Sequence, residues 1–237
     1  MAIYAISDLH LSFGVNKPMN IFGEVWDNYE EQIKNNWIET VKEDDIVIIP
    51  GDISWAMTLD ESIKDFEYIA SLPGKKILVK GNHDYYFSTV TKMKKFFEAH
   101  DFKNIDIVHN TAIETDTHII CGTRGWGKTE GNTQEEDAKI IAREEVRLEN
   151  SLKAGLLLQD KAKEEKGIEK PIIVALHFPP FVGRFQEIME GYGVKTCVYG
   201  HLHGYAHNFV REGLIGNIEY KMVGCDYTKM QLVKLSD

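Results

Sequence analysis

Several short apolar runs in this sequence end in residues that can bind a metal ion, and this feature constrains the fold most. The clearest run, residues 76–80, is followed by Gly81-Asn82-His83-Asp84. It is short and rich in β-branched residues, which favours a buried strand over a helix. Four other runs share the arrangement: residues 3–6 before Asp8 and His10, 46–49 before Asp52, 172–176 before His177, and 197–200 before His201 and His203. Because ligands bind at the carboxyl ends of strands in open α/β sheets, these five runs predict one site.

Helical patterns separate the strands. Residues 21–43 carry apolar residues at spacings of three or four, which predicts a helix and therefore a parallel pair of strands around it. Two more helices have a capping box at their start, formed by Thr58 with Glu61 and by Thr133 with Glu136. The sequence predicts helices at 58–71, 89–100, 133–166 and near 184–191, and a strand at 118–123.

Three further expectations concern local geometry. The first strand is predicted to run from 3 to 10, and an extended backbone would point Asp8 and His10 to one side. The tail from about 217 to 235 alternates apolar and polar residues, which predicts a hairpin that closes a second, antiparallel sheet. Within the charged helix, Arg143 and Arg147 are expected to form ordinary surface pairs with Glu144 and Glu145.

Composition limits the class of protein. The chain has 237 residues, of which 43% are hydrophobic, so we expect one large domain over residues 1–237. A net charge of -10 argues against a protein that holds extended nucleic acid by neutralising phosphates. We expect no membrane span, no signal peptide and a cytoplasmic location. The three widely spaced cysteines, Cys121, Cys197 and Cys225, are expected to be buried thiols.

Taken together, the polar strand ends resemble the calcineurin-like metallophosphoesterase superfamily. The residues that carry the resemblance are Asp8-Leu9-His10, Gly51-Asp52, Gly81-Asn82-His83-Asp84, His177 and Gly200-His201-Leu202-His203. The resemblance covers residues 8 to 203 and implies a four-layer α/β/β/α sandwich of two mixed sheets flanked by helices. Within the superfamily, the chain resembles the small bacterial-type phosphohydrolases.

The resemblance also implies a centre of two divalent metal ions. One ion would be held by Asp8, His10, Asp52 and His203, and the other by Asp52, Asn82, His177 and His201, with Asp52 bridging the two. Oxygen and imidazole ligands suit Mn, Fe, Zn or Mg, and we favour Mn. In the family, such a centre hydrolyses a phosphate ester by attack of a metal-bound hydroxide.

The resemblance assigns His83 as the general acid for the leaving oxygen, with Asp84 orienting its imidazole. The alternative for His83 is that it only binds phosphate through its charge. Arg124 and Trp126 are candidates to reach the site, because an Arg fork suits a phosphate oxygen. His100, His109 and His118 are expected to be structural or surface residues.

The substrate remains open at this point. The Gly-Asn-His-Asp form and the residues after Asp52 argue against a protein serine/threonine phosphatase. We expect a small phosphate ester as the partner, with a phosphodiester favoured and a phosphomonoester or nucleotide as alternatives. The aromatic residues Trp55, Tyr85, Tyr86 and Trp126 could stack on a nucleobase or belong to the core. A scaffold that binds metal without catalysis is the alternative from another class, and the sequence leaves the oligomeric state open.

Overall fold

The computed structural model describes residues 1–128 and 131–237. Its first sheet has five strands in the order β11-β1-β2-β3-β4. The strands are β1 (Ile3–Ala5), β2 (Ile46–Pro50), β3 (Lys75–Val79), β4 (Ile105–Ile107) and β11 (Val233–Ser236). Strands β1 to β4 pair in parallel, as the intervening helical patterns predicted, and β11 pairs antiparallel to β1.

The second sheet has six strands in the order β5-β6-β7-β8-β10-β9. The strands are β5 (Ala112–Glu114), β6 (Ile119–Thr123), β7 (Ile172–Leu176), β8 (Thr196–Tyr199), β9 (Gly213–Ile215) and β10 (Ile218–Met222). Its four central strands are parallel and both edge strands are antiparallel. Both sheets are therefore mixed.

In the described part of the chain, five α-helices flank the sheets. They are α1 (Tyr29–Thr40), α2 (Leu59–Ser71), α3 (Val90–Ala99), α4 (Gln134–Lys166) and α5 (Phe185–Gly191). Both predicted capping boxes are formed, one at the start of α2 and one at the start of α4. Among the described residues, no helix is long and apolar enough to cross a membrane.

The buried side chains form three clusters that confirm the four-layer sandwich. One cluster lies between the sheets and includes Ile48 and Ile77 from the first sheet and Ile173 and Val198 from the second. A second cluster joins α1, α2 and α3 to the outer face of the first sheet, and a third joins α4 and α5 to the second sheet. Central strands such as β2 and β7 are buried on both faces, which explains why their sequences are continuous apolar runs.

The predicted helix over 21–43 is wrong in its first third. That part of the chain forms two short 3₁₀ helices, Met19–Phe22 and Glu24–Trp26, and α1 begins only at Tyr29. Asn28 has a φ of 50°, a left-handed conformation that interrupts the helix. The apolar periodicity misled because Trp26 is buried in the same cluster as the residues of α1.

Two strand predictions also need correction. The first strand ends at Ala5, because Asp8 and His10 have φ values of 60° and 46° and so cannot continue an extended backbone. The tail does not form a hairpin within one antiparallel sheet. β10 runs parallel to β8, whereas β11 crosses to the first sheet and covers the edge of β1. The alternating pattern identifies a strand but not the edge with which it pairs.

Helix α4 packs on β5 and β6 as expected, but one of its charged residues is not at the surface. Glu144 is fully buried, and its carboxylate accepts hydrogen bonds from Arg147 (2.5 Å) and from the Thr123 hydroxyl (2.8 Å). The Arg124 guanidinium lies 3.9 Å from the same carboxylate. The predicted surface pair is therefore a partly buried ionic cluster around Glu144 that joins α4 to the loop after β6.

The close approach of α4 to β6 depends on Gly155, since a Cβ atom there would collide with the Cys121 thiol. We expect Gly155→Ala to reduce the free energy of unfolding by about 1–3 kcal/mol through overpacking. Gly191→Ala is the matched control, because open space surrounds that position. Urea denaturation measures both variants, and equal stability of the two would contradict the packing described here.

Candidate metal centre

Six predicted ligands meet at the carboxyl ends of the strands in two groups. Asp8, His10 and His203 form one group, and Asp52, His177 and His201 form the other, with ligand atoms within 4.8 Å of one another in each. Of these side chains, those of Asp8, Asp52, His10 and His177 are buried. The grouping matches the division between two ions that the sequence resemblance implied.

The two groups are in contact with each other through Asp52. Its Oδ2 lies 3.4 Å from His177 Nε2 and 3.9 Å from His10 Nε2, so one carboxylate faces both groups. In the first group, His203 Nε2 lies 3.2 Å from His10 Nε2 and 3.4 Å from Asp8 Oδ1. In the second group, Asn82 Oδ1 lies 2.7 Å from His177 Nε2. Asp52 therefore lies between the two groups, and the Asn82 amide oxygen lies beside the second.

The backbone is locally unusual at these residues. Asp8, His10, Asp52 and His201 are four of the nine described non-glycine residues with positive φ. Such conformations cost free energy and persist only where the surrounding structure enforces them. Here the enforcement includes hydrogen bonds between the two loops, from Asp8 N to Gly51 O and from His10 N to Asp52 O, both of 3.0 Å.

Glycines leave the space that the carboxylates occupy. A Cβ atom at Gly81 would collide with the Asp52 carboxylate, and one at Gly200 would collide with that of Asp8. The glycines of the Gly-Asn-His-Asp and Gly-His-Leu-His motifs are therefore required by close approach. This is a steric reason for the glycine that precedes each of the candidate ligands Asn82 and His201.

The buried charges fit divalent cations. Burial alone would raise the pKa of Asp8, but a hydrogen bond and the charge of His203 outweigh it and lower the pKa to about 2. The pKa of Asp52 is also below its usual range, because His177 and His10 outweigh the effect of burial. Both carboxylates are therefore ionised, and they repel each other. Two buried anions among imidazole nitrogens form an oxygen and nitrogen donor set that suits Mn, Fe or Zn.

The histidines divide into two pairs by their pKa. Burial would lower the pKa of His177 and His203, yet Asp52 raises that of His177 to about 9, and Asp226 and Asp8 raise that of His203 to about 10. Burial lowers the pKa of His10 to about 4 and that of His201 to about 3. Without a cation, two of the four imidazoles therefore carry a proton at neutral pH.

Sequence reasoning missed one carboxylate beside the site. Asp226 is buried and its Oδ1 lies 3.0 Å from His203 Nδ1, the ring nitrogen that faces away from Asp8. Its other oxygen lies 3.2 Å from His207 Nε2. Outer carboxylates of this kind fix the tautomer and orientation of a ligating histidine. Asp226 follows the end of β10, so the strand-end rule that found the other residues would also have found it.

His83 lies beside both groups. Its ring centre is 5.7 Å from that of His10 and 4.6 Å from that of Trp55, and its backbone amide donates to Asp52 Oδ1 at 2.8 Å. Burial lowers its pKa, and its Nδ1 has no hydrogen-bond partner among the residues that the structure describes. The imidazole is thus close to the candidate ligands, and its burial favours the neutral form.

Asp84 does not make the expected contact with the His83 ring. Its carboxylate accepts hydrogen bonds from the backbone amides of Gly81 (2.7 Å), Asp52 (3.0 Å) and Ile53 (2.8 Å), and from the Tyr86 hydroxyl (3.0 Å). Burial and the charge of Asp52 raise the pKa of Asp84 to about 6. The side chain therefore ties the loop after β2 to the loop after β3. It positions Asp52 and the backbone of the motif rather than the His83 imidazole.

Of the other residues named in the sequence analysis, Trp126 and Arg124 are connected to the second group through Phe178. Phe178 packs between Trp126 and His201, with ring centres 5.0 Å and 4.0 Å from them respectively, and the Arg124 guanidinium lies 4.6 Å above the Trp126 ring. Tyr86 is buried in the core, whereas Tyr85 is exposed. Within the described chain, His100, His109 and His118 belong to neither candidate metal group. All three cysteines are free and buried, as expected.

A cavity of about 680 Å³ opens beside the first group. His10, His83 and His203 form its inner end, and Trp26 and Trp55 form part of its walls. The Trp55 ring stacks on the His10 ring at 4.8 Å between centres, which fixes the orientation of that imidazole.

The sequence and the structure were compared with known proteins. A family model for calcineurin-like phosphoesterases matches residues 1–205. The chain therefore belongs to the calcineurin-like phosphoesterase family. A comparison with curated proteins gave no match.

Solved structures share the fold at low sequence identity. TT1561 of Thermus thermophilus is 16% identical with a TM-score of 0.57, over 99% of this chain and 97% of that one. The protein of unknown function AQ665 from Aquifex aeolicus is 18% identical with a TM-score of 0.52, over 98% and 95%. The phosphopantetheinyl hydrolase PptH from Mycobacterium tuberculosis is 15% identical with a TM-score of 0.51, over 99% and 95%. At these identities the likeness concerns the fold.

Removing the outer carboxylate tests the role of Asp226. We expect Asp226→Asn to weaken manganese binding by about 10–100-fold, because His203 loses the partner that orients its ring. Asp116→Asn, an exposed position, is the control. Calorimetric titration of each metal-free protein with MnCl₂ gives the affinities. Unchanged affinity in Asp226→Asn would remove this role.

Metal uptake should also release protons. His177 and His203, with pKa values of about 9 and 10, are protonated in the metal-free protein at pH 8, and a metal ion requires neutral imidazole. We expect about two protons to leave when both groups are filled at that pH. Titrations in buffers of different ionisation enthalpy count them. Uptake without proton release would show that the two imidazoles are neutral beforehand or do not bind metal.

Proposed function

We propose that this protein is a phosphoesterase that depends on two divalent metal ions and hydrolyses a small phosphate ester, with a phosphodiester as the favoured substrate. The observation that carries the proposal is the pair of His/Asp groups that share Asp52 at the strand ends. Membership of the calcineurin-like phosphoesterase family supports it.

We assign the residues to two ions by their positions. Asp8, His10, Asp52 and His203 would hold one ion, and Asp52, Asn82, His177 and His201 the other. When bound, the two ions would supply Lewis acidity for the phosphoryl oxygens and for the attacking water. We favour manganese as the first ion to test, since the donor set consists of carboxylate, imidazole and amide oxygen.

His83 is the proposed general acid for the leaving oxygen. It lies at the inner end of the cavity beside both groups, where the ester oxygen of a bound substrate would be in reach. Its pKa is lowered by burial in the free protein, but the negative charge of a bound phosphate favours the protonated imidazole. Asp84 would act indirectly, by holding the loops that carry Asp52 and Asn82.

A paired turnover assay tests the proposed function. Manganese-loaded protein is given bis-p-nitrophenyl phosphate and p-nitrophenyl phosphate at equal concentrations, with Asp52→Asn as the blank. We expect turnover of the diester to exceed that of the monoester and both to vanish in the blank. Preference for the monoester would replace the diesterase by a phosphatase or nucleotidase. Full activity in Asp52→Asn would contradict the site itself.

The role of His83 has its own test. We expect His83→Ala to retain its manganese and to lose about 10²–10⁴-fold in kcat on a phenyl ester, whose leaving group needs a proton. The loss on the p-nitrophenyl ester should be much smaller, because that leaving group is stable as an anion. His100→Ala, at an exposed position, is the control. An equal loss on both esters would indicate that His83 only binds phosphate, and loss of metal would make it a ligand.

A further inference from the structure

The cavity beside the first metal group has a lining that differs sharply between its two ends. Its inner end is polar and is formed by side chains that belong to the metal centre or contact it. Its outer walls are apolar and come from the two 3₁₀ helices before α1 and from the loop after β2. The lining residues are His10, Met19, Phe22, Val25, Trp26, Trp55, His83, His203, Gly204, His207 and Asp226.

The walls offer few polar groups to a ligand. Among the described residues that line the cavity there is no Lys, Arg, Ser, Thr, Asn or Gln. The indole N–H of Trp55 is already used, since it lies 3.0 Å from the Met19 sulfur. Lys17 lies over the Trp55 ring at 4.8 Å, but it is not a lining residue. Along the walls formed by Met19, Phe22, Val25, Trp26 and Trp55 a ligand would therefore meet hydrocarbon and aromatic surface, whereas histidines and Asp226 line the rest of the cavity.

The cavity is also large enough for more than a phosphate group. Ligand sites for small molecules have volumes of about 300–1,000 Å³, and this one has about 680 Å³. Two of its apolar residues, Phe22 and Val25, remain 65% and 44% exposed in the free protein. Apolar surface of this kind beside a reactive centre gains free energy when a ligand covers it.

We propose that the cavity binds the hydrocarbon part of the substrate, so that the natural substrate is a phosphate ester of an apolar alcohol. The proposal rests on the proposed function, because it places the phosphate at the metal centre and the organic group along Met19, Phe22, Val25 and Trp26. His83 then lies where the ester oxygen joins the two parts. A nucleotide fits the lining less well, because the polar edges of a base and its sugar need hydrogen-bond partners that these walls lack.

Inhibition by alkylphosphonates of increasing length tests this. Methyl-, butyl- and hexylphosphonate compete with bis-p-nitrophenyl phosphate on the manganese-loaded enzyme, and thymidine 5′-monophosphate is the polar comparison. We expect the inhibition constant to fall about two- to fourfold for each added methylene, because each one is transferred from water to an apolar wall. We expect hexylphosphonate to bind more tightly than the nucleotide.

A pair of charge-matched variants locates the effect. Val25→Asp places a carboxylate in the apolar wall and should abolish the dependence on chain length, whereas Val146→Asp makes the same change at an exposed position on α4 and should preserve it. Tryptophan fluorescence gives a second readout that needs no turnover, since Trp26 and Trp55 line the cavity.

The outcomes separate this proposal from the proposed function. Turnover with inhibition constants that do not depend on chain length, or with tighter binding of the nucleotide, overturns the cavity proposal alone. A dependence on chain length that survives in Val25→Asp also overturns it. Chain-length-dependent fluorescence changes that are lost in Val25→Asp, in a protein that hydrolyses no ester, would show that the cavity binds a hydrocarbon chain but would overturn the proposed function and, with it, the phosphate ester as the substrate.

Discussion

The repulsion between two buried carboxylates is the interaction on which the rest of the site depends. Asp8 and Asp52 are both fully buried and both ionised, and the groups that stabilise their charge are histidines. Bringing such groups out of water is costly unless opposite charge compensates them. Protonated His177 and His203 supply part of that charge in the free protein, and metal ions would supply it in the loaded protein. The two buried carboxylates therefore favour the binding of cations between them.

The carboxyl ends of the strands bring the candidate ligands together. In the first sheet, Asp8, Asp52 and Asn82 follow the carboxyl ends of the parallel strands β1, β2 and β3. In the second sheet, His177 and the Gly-His-Leu-His segment follow the carboxyl ends of β7 and β8 and meet the first set. The loops then turn sharply, with positive φ at four of the candidate ligands and glycines where side chains would collide. Asp84 holds two of these loops by their amides, and Asp226 holds His203 from the opposite side.

The sequence predicts those residues of the site that directly follow a strand. Polar residues after apolar runs identify the candidate ligands, because position at a strand end is encoded locally. Contacts made by side chains across loops are not encoded in this way. Asp84 was expected to orient His83 and instead binds backbone amides, and Glu144 was expected at the surface and is buried with two arginines nearby.

The errors in secondary structure have related causes. Apolar spacing predicted helix through Trp26, although Asn28 adopts a left-handed conformation and the segment before it forms 3₁₀ turns. That segment forms part of the apolar wall of the cavity. The surface proposed to select the substrate was therefore not predicted from the sequence, because its apolar spacing resembles that of a helix. The alternation in the tail predicted strands correctly but their pairing wrongly, since β10 pairs in parallel with β8 and β11 pairs with β1 of the first sheet.

The central claim is that the two residue groups hold two metal ions that share Asp52. A crystal of the protein grown with manganese and measured at a wavelength where manganese scatters anomalously tests this directly. The account predicts two anomalous peaks about 3.5–4 Å apart, one within each group, with the Asp52 carboxylate between them. A single peak, or two peaks of which neither lies within bonding distance of Asp52, would contradict it.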